Sequence, residues 1–229
     1  MSFIVPNAQA GAPDPAEGSP DPAKAGSGPA DAGAAPEPTF YFDVGSPYAY
    51  LAAERLEQVL PGPVRWQPIS LGAIFKATGR GSWALGDYQL RQAGMAEIER
   101  RAHLYDLPPI HWPDPWPTNY LMAMRAALHA FATGRGHEFT MQALRDAFQR
   151  GRDLSIPAHV LDAAERAGLD RAQVEVATQD PAVKLALREA TDAAYQLGVI
   201  GVPTVAVGLE LFWGDDRLED AAACLRDGG

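Results

Sequence analysis

Two short segments carry residues whose types and spacing could do chemistry. The first, Asp43-Val-Gly-Ser-Pro-Tyr48, follows an apolar run and places Ser46 where a helix is predicted to begin. A serine there lies at the positive end of the helix dipole, beside unpaired backbone N–H groups, and such an environment stabilises an anion. The alternative is that Ser46 only caps the helix, because serine is a preferred N-cap residue.

The second segment, Gly201-Val-Pro-Thr204, directly precedes a predicted strand. A proline is tolerated at the first position of a strand, and the bond between Val202 and Pro203 can be cis. The alternative is a proline that only starts the strand. The sequence has no phosphate-binding loop, no dinucleotide-binding glycine motif and no HExxH zinc motif, and its five histidines lack tight metal-ligand spacing.

The elements that must position these segments predict an α/β fold. The apolar and alternating runs favour strands, and the repeats of apolar residues every three or four positions favour helices. A long helical block separates two pairs of strands, so we expect one sheet with an inserted helical region. The predicted elements are Thr39–Val44, Tyr48–Leu60, Val64–Pro68, Ser70–Ala77, a mostly helical stretch from Tyr88 to about Leu197, Pro203–Val207, Leu209–Trp213 and Arg217–Leu225.

Composition narrows the function classes further. The 229 residues include 29 acids against 19 bases, and the net charge of −10 disfavours a nucleic-acid partner. No apolar run approaches the roughly 20 residues of a membrane span, so we expect no membrane partner. Cys224 is the one cysteine, which excludes an internal disulfide, a CxxC pair and a cysteine zinc site.

The chain divides into a tail and a domain. Residues 1–38 are rich in proline, alanine and glycine, and they have too few bulky apolar residues to form a core, so we predict that they are disordered. Residues 39–229 form the predicted domain, with its helical insertion at about residues 70–198. The absence of a targeting segment and of disulfides favours a cytoplasmic location.

Several segments, taken together, resemble one enzyme family. In order and spacing, they match the 2-hydroxychromene-2-carboxylate isomerases and kappa-class glutathione transferases, which have a DsbA-like thioredoxin fold. The matching segments are Phe40-Tyr-Phe-Asp-Val-Gly-Ser-Pro-Tyr48, Leu71-Gly-Ala-Ile-Phe-Lys-Ala-Thr-Gly79, Trp116-Pro-Thr-Asn119, Gly198-Val-Ile-Gly-Val-Pro-Thr204 and Phe212-Trp-Gly-Asp-Asp-Arg-Leu218.

This resemblance implies a cofactor and roles for particular residues. Ser46 takes the position of the redox cysteine of DsbA-like proteins and would face the sulfur of glutathione or another low-molecular-weight thiol. Val202, before a cis Pro203, would pair with the cysteinyl backbone of the thiol as an added strand does. Asp215 and Asp216 would hold its γ-glutamyl end.

The resemblance also implies a substrate side and one departure. Tyr48 and Asn119 would flank a small aromatic substrate. Family members usually have asparagine where this chain has Arg80, which could pair with the glycine carboxylate of glutathione or indicate a different thiol. Members often dimerise, so a homodimer is expected.

The implied chemistry is a reversible addition. A hydrogen bond from Ser46 and the helix terminus would lower the thiol pKa, about 8.5 in the reference state, by an amount of order 1–3 units. The resulting thiolate would add to a conjugated aromatic keto acid, allow the bond to rotate, and leave. The alternatives are a kappa-like transferase, a DsbA-like oxidoreductase, which the single cysteine disfavours, and a non-catalytic thioredoxin-like thiol-binding protein.

Overall fold

The computed structural model describes residues 37–227. All but the last two residues of the predicted tail, 1–38, lie outside this range. The described part contains four strands, nine α-helices and two short 3-10 turns. The strands and helices are β1 (Thr39–Phe42), α1 (Pro47–Val59), β2 (Arg65–Pro68), α2 (Leu71–Thr78), α3 (Tyr88–Leu104), α4 (Leu121–Ala132), α5 (Gly136–Arg150), α6 (Pro157–Arg166), α7 (Arg171–Gln179), α8 (Pro181–Leu197), β3 (Thr204–Val207), β4 (Glu210–Trp213) and α9 (Leu218–Asp227).

The four strands form one mixed sheet in the order β2-β1-β3-β4. β1 and β2 are parallel, whereas β1 and β3 are antiparallel, with Tyr41 opposite Thr204. The C-terminal end of β1 therefore lies beside the N-terminal end of β3, at the same end of the sheet. This register brings the segment that contains Ser46 next to Val202 and Pro203, although 156 residues separate Ser46 from Val202.

The sheet and the helices share an apolar core. Phe40 and Phe42 of β1 are fully buried, and their rings lie within 6 Å of the indole of Trp66 on β2. A smaller cluster, which includes Ile69, Ile74 and Ala206, lies between the sheet and helices α2 and α8. Because α1 and α2 both begin where strands end, the core fixes both helix starts relative to the sheet.

Local sequence explains where α1 begins and ends. The Ser46 side chain accepts a hydrogen bond from the Ala49 N–H, and Pro47 occupies the first helical position, where a missing N–H costs nothing. The helix ends at Val59, with Pro61 two residues beyond. The observed start confirms the N-cap predicted for Ser46.

Helices α2 to α8 all lie between β2 and β3 in the chain. The mixed sheet with a long helical insertion confirms the α/β architecture predicted from the sequence. Within residues 37–227, none of the helices combines the length and the apolar character that crossing a bilayer would require.

Candidate active site

Ser46 and the Val202–Pro203 bond face each other at the end of the sheet where β1 ends and β3 begins. The Ser46 hydroxyl donates to the carbonyl oxygen of Val202 over 3.5 Å, and the Val202–Pro203 peptide is cis. Only 3% of Ser46 is exposed and 5% of Val202. A separation of 3.5 Å is at the long limit for a hydroxyl hydrogen bond, so this proton can turn toward another acceptor at little cost.

The first turn of α1 leaves one backbone donor for a ligand. Pro47 has no N–H, the Ala49 N–H is taken by the Ser46 hydroxyl oxygen, and the Tyr50 N–H is taken by the Ser46 carbonyl. The Tyr48 N–H has no acceptor among residues 37–227. The hydroxyl of Ser46 and this N–H are therefore the donors that the helix start can present to an anion.

A buried carboxylate fixes the turn that carries Ser46. Asp43 accepts the Gly45 N–H on one oxygen and the Leu71 N–H on the other, each at 2.9 Å. Burial raises the pKa of Asp43 to about 6, against the opposing effect of the two backbone hydrogen bonds. Asp43 thus links the turn before α1 to the first residue of α2.

Side chains from the segment before α4 and from α4 itself hold the same turn. The Val44 N–H donates to the sulfur of Met124 over 3.3 Å, and the Trp116 indole N–H donates to the Gly45 carbonyl over 3.3 Å. The Tyr120 ring lies so close to Gly45 that a Cβ atom there would approach ring carbons to 2.2 Å. Any side chain at position 45 would therefore displace this ring or the turn.

The turn forms part of a cleft of about 760 Å³. One wall is aromatic, because the rings of Trp83 and Trp116 lie 5.4 Å apart and Tyr48 packs edge-on against Trp83 at 6.4 Å. Burial raises the pKa of Tyr120, which also lines the cleft, to about 12, so its phenol stays neutral. The cleft can accept a planar apolar group beside Ser46.

At one side of the cleft, the two aspartates that precede α9 differ in their surroundings. Asp215 is buried, and its carboxylate accepts from Arg101 at 2.9 Å and from the Tyr105 hydroxyl at 3.0 Å. Burial raises the pKa of Asp215, and the charge of Arg101 opposes this effect. Asp216 has a half-exposed side chain and lies 3.3 Å from Arg101, so it keeps oxygen lone pairs for a ligand.

Another side of the cleft carries Arg80 and Trp213. The Arg80 guanidinium lies 5.3 Å from the Trp213 ring, and within residues 37–227 it forms no ion pair with an acid. Trp213 in turn packs on Gly201, where an added Cβ would approach the indole nitrogen to 2.6 Å. Arg80 is thus a cation available to an anionic ligand group.

The structure brings together seven of the eight residues singled out from the sequence: Tyr48, Ser46, Arg80, Val202, Pro203, Asp215 and Asp216 all line this cleft. Asn119 does not line it. Its side chain is exposed, and its carbonyl oxygen accepts the Leu121 N–H at the start of α4. The neighbouring Tyr120 and Thr118 line the cleft instead.

Three contributors were missed by sequence reasoning: Asp43, Arg101 and Tyr120. Asp43 directly follows β1, in the same motif that contains Ser46. Its position immediately after an apolar run was the available signal. Arg101 lies in helix α3, whose sequence carries no motif. Within the described residues, no group of three or more potential metal ligands occurs.

Comparisons with known proteins agree with this geometry. The family model for the DSBA-like thioredoxin domain matches residues 39–226. A 2-hydroxychromene-2-carboxylate isomerase of Pseudomonas putida is 30% identical over 189 residues, covering 78% of this chain and 89% of that protein. The chain therefore belongs to the DsbA-like thioredoxin family, in the branch of 2-hydroxychromene-2-carboxylate isomerases and kappa-class glutathione transferases.

Two further relatives support this placement. Human glutathione S-transferase kappa 1 is 27% identical over 203 residues, covering 78% of this chain and 86% of that protein. A solved 2-hydroxychromene-2-carboxylate isomerase structure superimposes with a TM-score of 0.72 at 27% identity, and the match covers 83% of this chain and 94% of that one.

Proposed function

We propose that this protein is a glutathione-dependent cis-trans isomerase of aromatic keto acids of the 2-hydroxychromene-2-carboxylate type. The observation that carries the proposal is the position of the Ser46 hydroxyl inside an aromatic-lined cleft. This hydroxyl faces the carbonyl of Val202, which precedes the cis bond to Pro203. The similarity to proteins named as this isomerase supports the reaction class.

The residues present fit a bound thiol of the shape of glutathione. Ser46 and the Tyr48 N–H offer donors to a sulfur, and Val202 offers backbone groups to a peptide-like ligand. Asp216 can accept from an ammonium group, and Arg80 can pair with a carboxylate. Asp215 would shape the site without a hydrogen bond to the ligand, because its carboxylate already accepts from Arg101 and Tyr105.

A bound thiol supplies the nucleophile that adds reversibly to the substrate, so that a double bond can rotate before the thiol leaves. Ser46 stabilises the thiolate by turning its weakly held proton from Val202 to the sulfur. A charge-assisted hydrogen bond of this kind is worth roughly 1.5–3 kcal/mol, which corresponds to about 1–2 units of thiol pKa. Trp83, Trp116 and Tyr48 stack against the aromatic part of the substrate and exclude water from it.

The test is the isomerisation of a 2-hydroxychromene-2-carboxylate followed by absorbance, with glutathione present and after its removal by gel filtration. The proposal predicts turnover only when the thiol is present and no net consumption of it. Turnover that is unchanged without any thiol would contradict the proposal.

A kappa-like glutathione transferase is the second candidate, since human glutathione S-transferase kappa 1 is among the relatives. The same cleft would then hold an electrophile that keeps the thiol. Product analysis by mass spectrometry separates the two functions, because a stable thioether forms only in the transferase reaction. A homodimer and a cytoplasmic location remain part of the proposal, to be tested by light scattering and by cell fractionation.

A further inference from the structure

Asp43 joins two cleft-lining segments through its two carboxylate oxygens. One oxygen holds the Gly45 N–H, one residue before Ser46, and the other holds the Leu71 N–H. Gly45 and Leu71 both line the cleft. Only 4% of Asp43 is exposed, so water does not compete effectively for these two hydrogen bonds.

The second of these hydrogen bonds fixes the helix that leads to Arg80. Leu71 is the first residue of α2, and Phe75 on that helix also lines the cleft. The helix ends at Thr78 and is followed by its C-cap residue Gly79, which has a left-handed conformation. The Arg80 N–H then donates to the Phe75 carbonyl over 3.0 Å. A shift at Leu71 would therefore carry Arg80 with it, because the helix and its cap form one rigid segment.

From this arrangement we infer that Asp43 is a positioning residue. It sets the distance between Ser46, where the sulfur of the thiol would bind, and helix α2, whose C-terminal end leads to Arg80. The inference rests on the proposed function, since it concerns how the two ends of one thiol ligand are held. A carboxylate suits the role because both of its oxygens accept, whereas the amide of asparagine would turn an NH₂ group against one of the two N–H donors.

The first experiment uses Asp43→Asn and measures the dissociation constant of glutathione by calorimetry and the KM values of both thiol and electrophile. We expect the glutathione dissociation constant to rise at least about tenfold, with a much smaller change in the KM of the electrophile. A merely structural role would lower the active fraction without this split. Asp170→Asn is the matched control, because Asp170 accepts the Gln173 N–H at the start of α7 and does not line the cleft.

A second pair of variants removes the donor instead of the acceptor, and it decides the question if Asp43→Asn does not fold. Leu71→Pro deletes the N–H that Asp43 binds, at a first helical position that accepts proline. Leu71→Ala removes the same side-chain bulk but keeps the N–H. We expect Leu71→Pro to bind glutathione at least about fivefold more weakly than Leu71→Ala.

The outcomes separate this inference from the proposed function. If the unaltered protein binds glutathione, but Asp43→Asn binds it equally well and Leu71→Pro matches Leu71→Ala, then the positioning role is wrong and the proposed function stands. If the unaltered protein binds neither glutathione nor any other small thiol, the proposed function is wrong, and the role inferred for Asp43 is wrong with it.

Discussion

Replacing Ser46 by alanine separates the two roles of its hydroxyl. As the N-cap of α1, the side chain accepts the Ala49 N–H over 3.3 Å, and losing such a cap costs about 1 kcal/mol of folding stability. As a donor to a bound thiolate, it contributes roughly 1.5–3 kcal/mol. The second loss raises the thiol pKa by about 1–2 units, so the thiolate fraction at neutral pH falls about tenfold or more.

The assay is the initial rate of thiol-dependent isomerisation across pH, together with urea unfolding. Ser46→Ala is expected to lose about tenfold or more of its turnover at neutral pH and to recover part of it as the pH rises toward the pKa of the free thiol. Asp170→Ala is the control, because Asp170 caps α7 through the Gln173 N–H over 2.8 Å and does not line the cleft. The thiol bound to this control variant should keep the lowered pKa. Full turnover in Ser46→Ala at every pH would refute the role given to the hydroxyl.

Three further predictions concern the surroundings of the site. Gly45→Ala should destabilise the fold by about 1–3 kcal/mol in urea unfolding, because the new methyl group meets the Tyr120 ring; an unchanged midpoint would contradict this contact. Asp216→Asn should raise the KM of glutathione about fivefold with little effect on melting, whereas Asp215→Asn should lower the melting temperature; the reverse pattern would exchange their roles. Because the folded state raises the pKa of Asp43, its contribution to stability is present below about pH 4 and lost as the pH rises through about 6. The unfolding free energy should therefore fall by about 3 kcal/mol over this range relative to Asp43→Asn, and parallel pH curves for the two proteins would contradict it.

Sequence patterns predicted much of the scaffold because local chemistry dictates it. The apolar run at Thr39, the serine and proline at positions 46 and 47, and the proline after the helix determine β1 and α1 almost to the residue. The facing positions of Ser46 and Val202 followed from the resemblance, and the antiparallel pairing of β1 with β3 is the physical reason for it.

The remaining features depend on tertiary packing that no local pattern encodes. Arg101 reaches Asp215 across 114 residues, and Met124 reaches the Val44 N–H across 80. For Asn119, the motif match and the observed geometry differ. It matched a family motif, but at the start of α4 its side chain accepts a local backbone N–H, as asparagine readily does near helix starts.

The most direct measurement is a titration of the sulfur of glutathione in complex with the protein, followed by the ultraviolet absorbance of the thiolate. The account predicts a pKa at least about one unit below the value of about 8.5 for an unperturbed thiol. A bound thiol that titrates at or above that value would contradict the claim that this cleft makes a thiolate.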